Sequence, residues 1–198
     1  MNFGLRFLFI LFISFVKSQN IESLANIPSE LKESEIRIYK DRGIYNSGFV
    51  FRIYKDGQTW KANLTQWFLP KKISQDEFER VAPKLIALKP TKTIEELFLN
   101  LRALNIEFLP KEEYFQYKKE KRKVVYDEEE KDWLFETTNA IQILDGTGYL
   151  VKYQSGKQKN EFHYNNPESY LKHYPEIDEL KSFVDILNYI RKEFNIEF

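Results

Sequence analysis

Residues 141–164 read IQILDGTGYLVKYQSGKQKNEFHY, and this stretch decides the fold. Tyr149, Val151 and Tyr153 alternate with Leu150 and Lys152, and Phe162 and Tyr164 alternate with Glu161 and His163. Such alternation puts one set of side chains on one face of a strand. Between the runs, Ser155-Gly156 predicts a two-residue turn, because glycine accepts the positive φ that hairpin turns require. That turn sets Tyr149 opposite Phe162 and Thr147 opposite Tyr164. Upstream, Ile141 and Ile143 run into Asp145-Gly146-Thr147-Gly148. A three-residue loop centred on Gly146 would pair Ile143 with Tyr149 and Ile141 with Val151. The expectation is a three-strand meander with one apolar face.

The cover for that face follows in the chain. Tyr174-Pro175 predicts a helix start, since proline suits the first helical position. Glu176, Asp178 and Glu179 meet the positive end of the helix dipole, and Arg191 and Lys192 the negative end. Ile177, Leu180, Val184, Leu187 and Phe194 recur at three- and four-residue steps, widened by Phe183, Ile186 and Ile190. A stripe this wide needs a sheet to cover.

Upstream of this unit, Ile36 and Ile38 alternate with Arg37 and Tyr39, which predicts a strand. Phe49, Phe51 and Ile53 lead up to Asp56-Gly57, and Trp60, Ala62 and Leu64 lead away from it. A type I′ turn at Asp-Gly pairs Ile53 with Trp60, Phe51 with Ala62 and Phe49 with Leu64. The opposite face, with Arg52, Lys61, Asn63 and Thr65, is expected to be wet or partner-facing. Ser74-Gln75-Asp76-Glu77 suggests a capping box for a short helix ended by Pro83, and Thr93-Ile94-Glu95-Glu96 a second. The second opens a helix over 93–104 with Ile94, Leu97, Phe98, Leu101 and Leu104 on one face. The basic run Lys118–Lys123 and the acidic run Asp127–Glu130 read as a solvated, self-complementary surface around a strand.

Together these readings predict an α+β domain: an antiparallel sheet built from hairpins and a meander, with helices 93–104 and 176–194 packed on it. No Gly/Ser/Pro-rich linker divides the chain, so residues 19–198 are expected to form a single domain, with 19–33 as a loose leader.

Residues 1–18 are expected to lie outside that domain. Arg6 precedes an apolar run, Phe7 to Val16, broken only by Ser14. The run is shorter than the ~20 residues a bilayer span needs and matches a secretory signal. Cleavage after Ser18 would leave no stable membrane span. The sequence contains no cysteine, which excludes thiol catalysis, a lipoprotein and a disulfide-stapled module. An exported domain without disulfides points to a bacterial periplasmic or secreted protein. Losing Arg6 and Lys17 would leave 28 basic residues against the 30 acidic ones. A nucleic-acid binder would carry a clear basic excess, so no nucleic-acid partner is expected.

The chemistry is sparse. No serine sits in a nucleophile elbow. Gly146-Thr147-Gly148 lies between strands and lacks the rest of a phosphate-binding fingerprint. The candidate binding residues lie in the corner after the second hairpin: His163, Tyr164, Asn165, Asn166, Tyr170 and His173. Asn165-Asn166-Pro167 predicts a turn, and Tyr170, Leu171 and Tyr174 a short helical connector. Two histidines, two asparagines and two tyrosines make a mixture common in binding sites. The competing account is a packed structural corner with its histidines in water. No cofactor or metal is expected, since the histidine spacing matches no metal motif.

Several of these features resemble a group of small exported bacterial proteins of unknown function. They are the leader, Asp145-Gly146-x-Gly148-Tyr149, Asn166-Pro167-Glu168-x-Tyr170-Leu171 and the final helix ending Arg191-Lys192-Glu193-Phe194. The resemblance implies an envelope or secreted location and supplies no catalytic residues. The expected function is non-catalytic binding of a protein or glycan partner; the alternative is a small envelope hydrolase using carboxylate or histidine chemistry.

Overall fold

The computed structural model describes residues 20–41, 46–138, 141, 143 and 146–198. Its centre is a six-stranded antiparallel sheet. In chain order the elements begin with α1 (Ile21–Leu24), β1 (Ser34–Lys40), β2 (Ser47–Asp56) and β3 (Thr59–Phe68). Short strands β4 (Lys71–Lys72) and β5 (Phe78–Glu79) precede β6 (Lys84–Ala87) and α2 (Ile94–Ala103). Two 3-10 turns, Glu112–Tyr114 and Gln116–Lys119, lead to β7 (Lys121–Asp127) and β8 (Asp132–Thr138). Then come β9 (Gly148–Ser155), β10 (Gln158–Asn165), α3 (Pro167–His173) and α4 (Asp178–Phe194). The order across the main sheet is β10-β9-β1-β2-β3-β6. The expected α+β architecture is the one observed.

Both hairpins keep the expected faces but shift register by two. Phe51 pairs with Leu64 and Ile53 with Ala62, not with Ala62 and Trp60. Phe162 pairs with Val151 and Tyr164 with Tyr149, not with Tyr149 and Thr147. In each case glycine takes the first central turn position rather than the second. Gly57 and Gly156 have φ of +62° and +58°, while neither Gln58 nor Lys157 has positive φ, the φ pattern of a type II′ turn. A two-residue shift leaves the period-two alternation intact, so the same side chains still reach the core.

The meander is a different one. The strand beside β9 is β1, with Ile36 against Tyr153 and Ile38 against Val151. Ile141 and Ile143 lie outside any strand, and residues 142, 144 and 145 are not among the described residues. No helix forms after Ser74: β4 and β5 pair there instead, Lys71 with Glu79 and Lys72 with Phe78. Pro175-Glu176 form a turn, and α4 starts at Asp178 after Ile177.

On the main face α2 and α4 cover Ile36, Ile38, Phe51, Ile53, Val151, Tyr153, Phe162 and Tyr164. Phe183 of α4 meets Tyr149, Phe162 and Tyr164 edge-on, with ring centroids 5.1–5.6 Å apart. Thr93 caps α2 as expected, accepting from Glu96 N–H at 3.2 Å.

The other face is wet only in part: Lys61 is exposed, as expected. Arg52, Asn63 and Thr65 are buried, and the stretch expected as a loose leader contributes α1 and its flanks to the cover. Ala25, Tyr39, Val50, Trp67 and Leu150 form a second, smaller core there. Polar anchors hold the segment. Tyr39 donates to Glu22 at 2.6 Å, and the Arg37 guanidinium donates to the carbonyls of Pro28 at 2.8 Å and Glu30 at 3.2 Å. Beneath them Glu35 is fully buried and accepts from Arg37, Arg52 and Lys32 N–H, each at 2.8 Å. Charges survive burial when each is paired and hydrogen-bonded in this way.

Burial alone would raise the Glu35 pKa, but the bonds from Arg52 and Arg37 outweigh it and hold the carboxyl below its ordinary 4.5. A carboxyl so lowered binds fewer protons in the folded than in the unfolded chain. Its contribution is therefore complete above about 4.5 and is lost as pH falls through the lowered folded value. Glu35→Gln should destabilise the fold at neutral pH by about 3 kcal/mol, because both arginines lose their counter-charge. Denaturant titrations from neutral to acid pH should also show the difference between wild type and variant shrinking on the acid side. A constant difference would contradict this assignment.

Candidate functional site

The corner after β10 is built as its sequence suggests. Asn166 adopts the left-handed conformation, φ +49°, which asparagine tolerates, and Pro167 opens α3 behind it. Asn166 N–H donates to Thr147 O at 2.8 Å and its amide to Ile143 O at 3.4 Å, which ties the loop before β9 to the corner. A third group fixes α3. Arg191 of α4 donates to Glu168 at 2.8 Å, to Tyr149 Oη at 3.0 Å and to Phe198 O at 2.9 Å. Tyr149 Oη also donates to Glu168 at 3.1 Å. Burial pushes the Tyr149 phenol up, assisted by the Glu168 charge, so it stays a neutral donor.

Between this corner and the two 3-10 turns lies an open cleft of ≈ 930 Å³. Its walls are Glu112, Gln116 and Lys119 on one side and Glu161, His163, Asn165 and Tyr170 on the other. Lys119 is the unexpected member. Placed by its sequence in a solvated basic run, it is only 4% exposed. Its ammonium pairs with Glu112 and lies 4.1 Å from the Tyr170 ring centroid and 5.6 Å from that of Phe115. The other Glu112 oxygen accepts from Asn165 N–H at 2.9 Å and from the Asn165 amide at 3.1 Å. A carboxylate engaged on both oxygens is poorly placed to take a proton from a substrate. A second cleft of ≈ 740 Å³, with Lys152, Gln154 and Lys159 on its walls, shares Lys111 and Glu161 with the first.

Three of the six sequence candidates, His163, Asn165 and Tyr170, line the main cleft. Tyr164 does not: it is fully buried, donates to Pro110 O at 2.9 Å and packs between Phe115 and Phe183. Burial, with the charges of Glu179 and Glu112, raises its pKa far out of reach of ordinary pH. Asn166 is the half-buried hinge of the corner rather than a wall. His173 is exposed on the last turn of α3 and does not line the cleft, so the two histidines do not share it. Among the described residues no group of three or more His, Asp or Glu side chains is placed to hold a metal ion. Among them, too, no helix is long and apolar enough to cross a membrane.

Glu112 and Gln116 carried no sequence signal, and Lys119 only that of its basic run. The 3-10 turns that present them lack the apolar period of a helix. Comparison with protein-family models, with curated proteins and with solved structures finds no match.

The Lys119 pairing gives a direct test. Lys119→Met keeps the aliphatic stem over Tyr170 but strands Glu112, and should lower stability by about 2–4 kcal/mol. Adding Glu112→Gln should restore more than half of that loss in denaturant titrations. Additive losses in the double variant would show that the two side chains do not act as a pair.

Proposed function

We propose that the chain is an exported bacterial binding domain that holds an extended segment of a partner protein against the outer edge of β10. One observation carries this reading: β10 is an edge strand whose free side opens into the two clefts. Ser155 and Gln158 flank the two-residue turn and form the hydrogen-bonded pair next to it. The backbone groups of Lys159, Glu161, His163 and Asn165 therefore point away from β9. Asn165 N–H, pointing outward to Glu112, agrees with that phase. Glu112 closes one end of the edge, and among the described residues no strand continues the sheet beyond it. An incoming extended chain would meet the outward N–H and C=O of Lys159 and Glu161, with His163 and Tyr170 near its side chains.

Export is supported by the basic, apolar and small-residue succession in residues 1–18 and by the resemblance to small exported proteins. The absence of cysteine agrees with a bacterial envelope rather than a disulfide-rich secretory product.

Panning a random-peptide library against the exported protein tests the reading. Selected peptides should shift the backbone amide signals of Lys159 and Glu161. Glu161→Pro removes one outward N–H without touching the ladder to β9, and should weaken binding at least about tenfold while leaving the fold intact. Undiminished binding by this variant, or glycan binding with no peptide binding, would overturn the proposal. The intact mass of the same preparation reads the leader: a mass that still includes residues 1–18 contradicts cleavage after Ser18.

A further inference from the structure

β7 and β8 form a hairpin of their own. Among the described residues neither strand joins the six-stranded sheet. A lone two-stranded hairpin is marginal in water, so what covers it matters. Val124 pairs with Phe135 and Tyr126 with Trp133, and the alternation of the strands puts all four on one face. The Tyr126 and Trp133 rings meet edge-on at 5.1 Å, so the face is ordered rather than splayed. Yet Val124 is 57%, Trp133 66% and Phe135 79% exposed. Monomeric proteins seldom leave a contiguous aromatic face in water.

The charges select the partner. The root of β7 is Lys121-Arg122-Lys123, and the tip of the hairpin, residues 127–132, is Asp-Glu-Glu-Glu-Lys-Asp. Arg122 pairs with Glu120 and Lys123 with Glu136, each at 2.7 Å and open to solvent, so the root keeps only a small positive excess, whereas the tip is strongly negative. Two copies stacked face to face and antiparallel would set each basic root against the other's acidic tip, with the aromatic faces between them. A lipid surface fits worse, because the tip that would lead into it is the acidic end. We propose that this face is a dimer interface between two copies of the chain, related by a two-fold axis across the strands. At ~150–250 Å² for each buried aromatic, the exposed area comes to roughly 500 Å² per copy. Two copies would then bury on the order of 1,000 Å², where specific interfaces begin. The dimer uses a surface distinct from the β10 edge and does not depend on the peptide-binding reading.

Sedimentation equilibrium of the purified chain over a concentration series tests the proposal. The wild type should show a monomer–dimer equilibrium. A Trp133→Ser/Phe135→Ser variant should weaken it at least about tenfold, as expected for central aromatic anchors. Reversing the tip charges (Glu128→Lys, Glu129→Lys, Glu130→Lys) should abolish self-association. Mixing that variant with a root-reversed one (Lys121→Glu, Arg122→Glu, Lys123→Glu) should restore a dimer of one of each. Circular dichroism matching wild type establishes that each variant is folded. A wild type that stays monomeric throughout, or charge-reversed variants that fail to recombine, would overturn the proposal. So would a monomer that binds phosphatidylglycerol vesicles through Trp133, which would assign the face to a lipid surface instead.

Discussion

The pairing of β1 with β9 is the interaction on which the rest of the molecule depends. It joins residues 34–40 to residues 149–155 across more than half of the chain. On one side of it stands the β2–β3 hairpin, on the other the β9–β10 hairpin. Without it, α2 and α4 would have two narrow ribbons to cover instead of one broad floor. Closing so long a loop costs conformational entropy, but that cost grows only slowly with length. The pairing offsets it by burying Ile36, Ile38, Val151 and Tyr153 completely, each worth roughly 1.5–3 kcal/mol on the scale of apolar transfer.

The same strand organises both faces. Its even residues, Ile36 and Ile38, enter the main core, and its odd residues, Glu35, Arg37 and Tyr39, face the α1 segment. Buried ions do the positioning there. Glu35 holds Arg37 and Arg52 on adjacent strands, and Arg37 reaches out to the backbone of Pro28 and Glu30. An apolar face would tolerate sliding of the covering segment, whereas these directional bonds fix its place. Two other networks work alike. Arg191 ties α3 to α4 and the sheet, and Glu112 ties Lys119 to Asn165. The cleft beside β10 is therefore framed by groups whose charges are largely matched within the fold.

Much of this was legible in the sequence wherever the signal is periodic. The alternation in 149–153 and 49–53, the stripes of the two main helices and the Asn165-Asn166-Pro167 corner all translate directly into structure. The turns were legible only to within two residues, because Asp56-Gly57 and Ser155-Gly156 suit glycine in either central position. The strand beside β9 was not legible. Ile141 and Ile143 are as apolar as Ile36 and Ile38, and proximity in sequence favoured the wrong pair. Arg52 and Lys119 also misled, because a charged side chain reads as exposed until its counter-charge and its cover are known. Of the corner residues, His163, Asn165 and Tyr170 reached the cleft, while Tyr164 shows the limit of residue type: a tyrosine in a strand suits a core as well as a binding wall.

The most direct test of the central pairing is a nuclear Overhauser measurement on the folded chain. Asp41 N–H donates to Gly148 O, and Gly156 N–H to Glu33 O, so Ile38 opposite Val151 and Ile36 opposite Tyr153 are non-hydrogen-bonded pairs. Their α-protons are then close enough for strong cross-strand effects. The account predicts both cross-peaks, Ile38 with Val151 and Ile36 with Tyr153, together with slow amide exchange at Arg37 and Lys152. Cross-peaks from Val151 to Ile141 in their place would contradict it, because β1 would then not lie between the two hairpins.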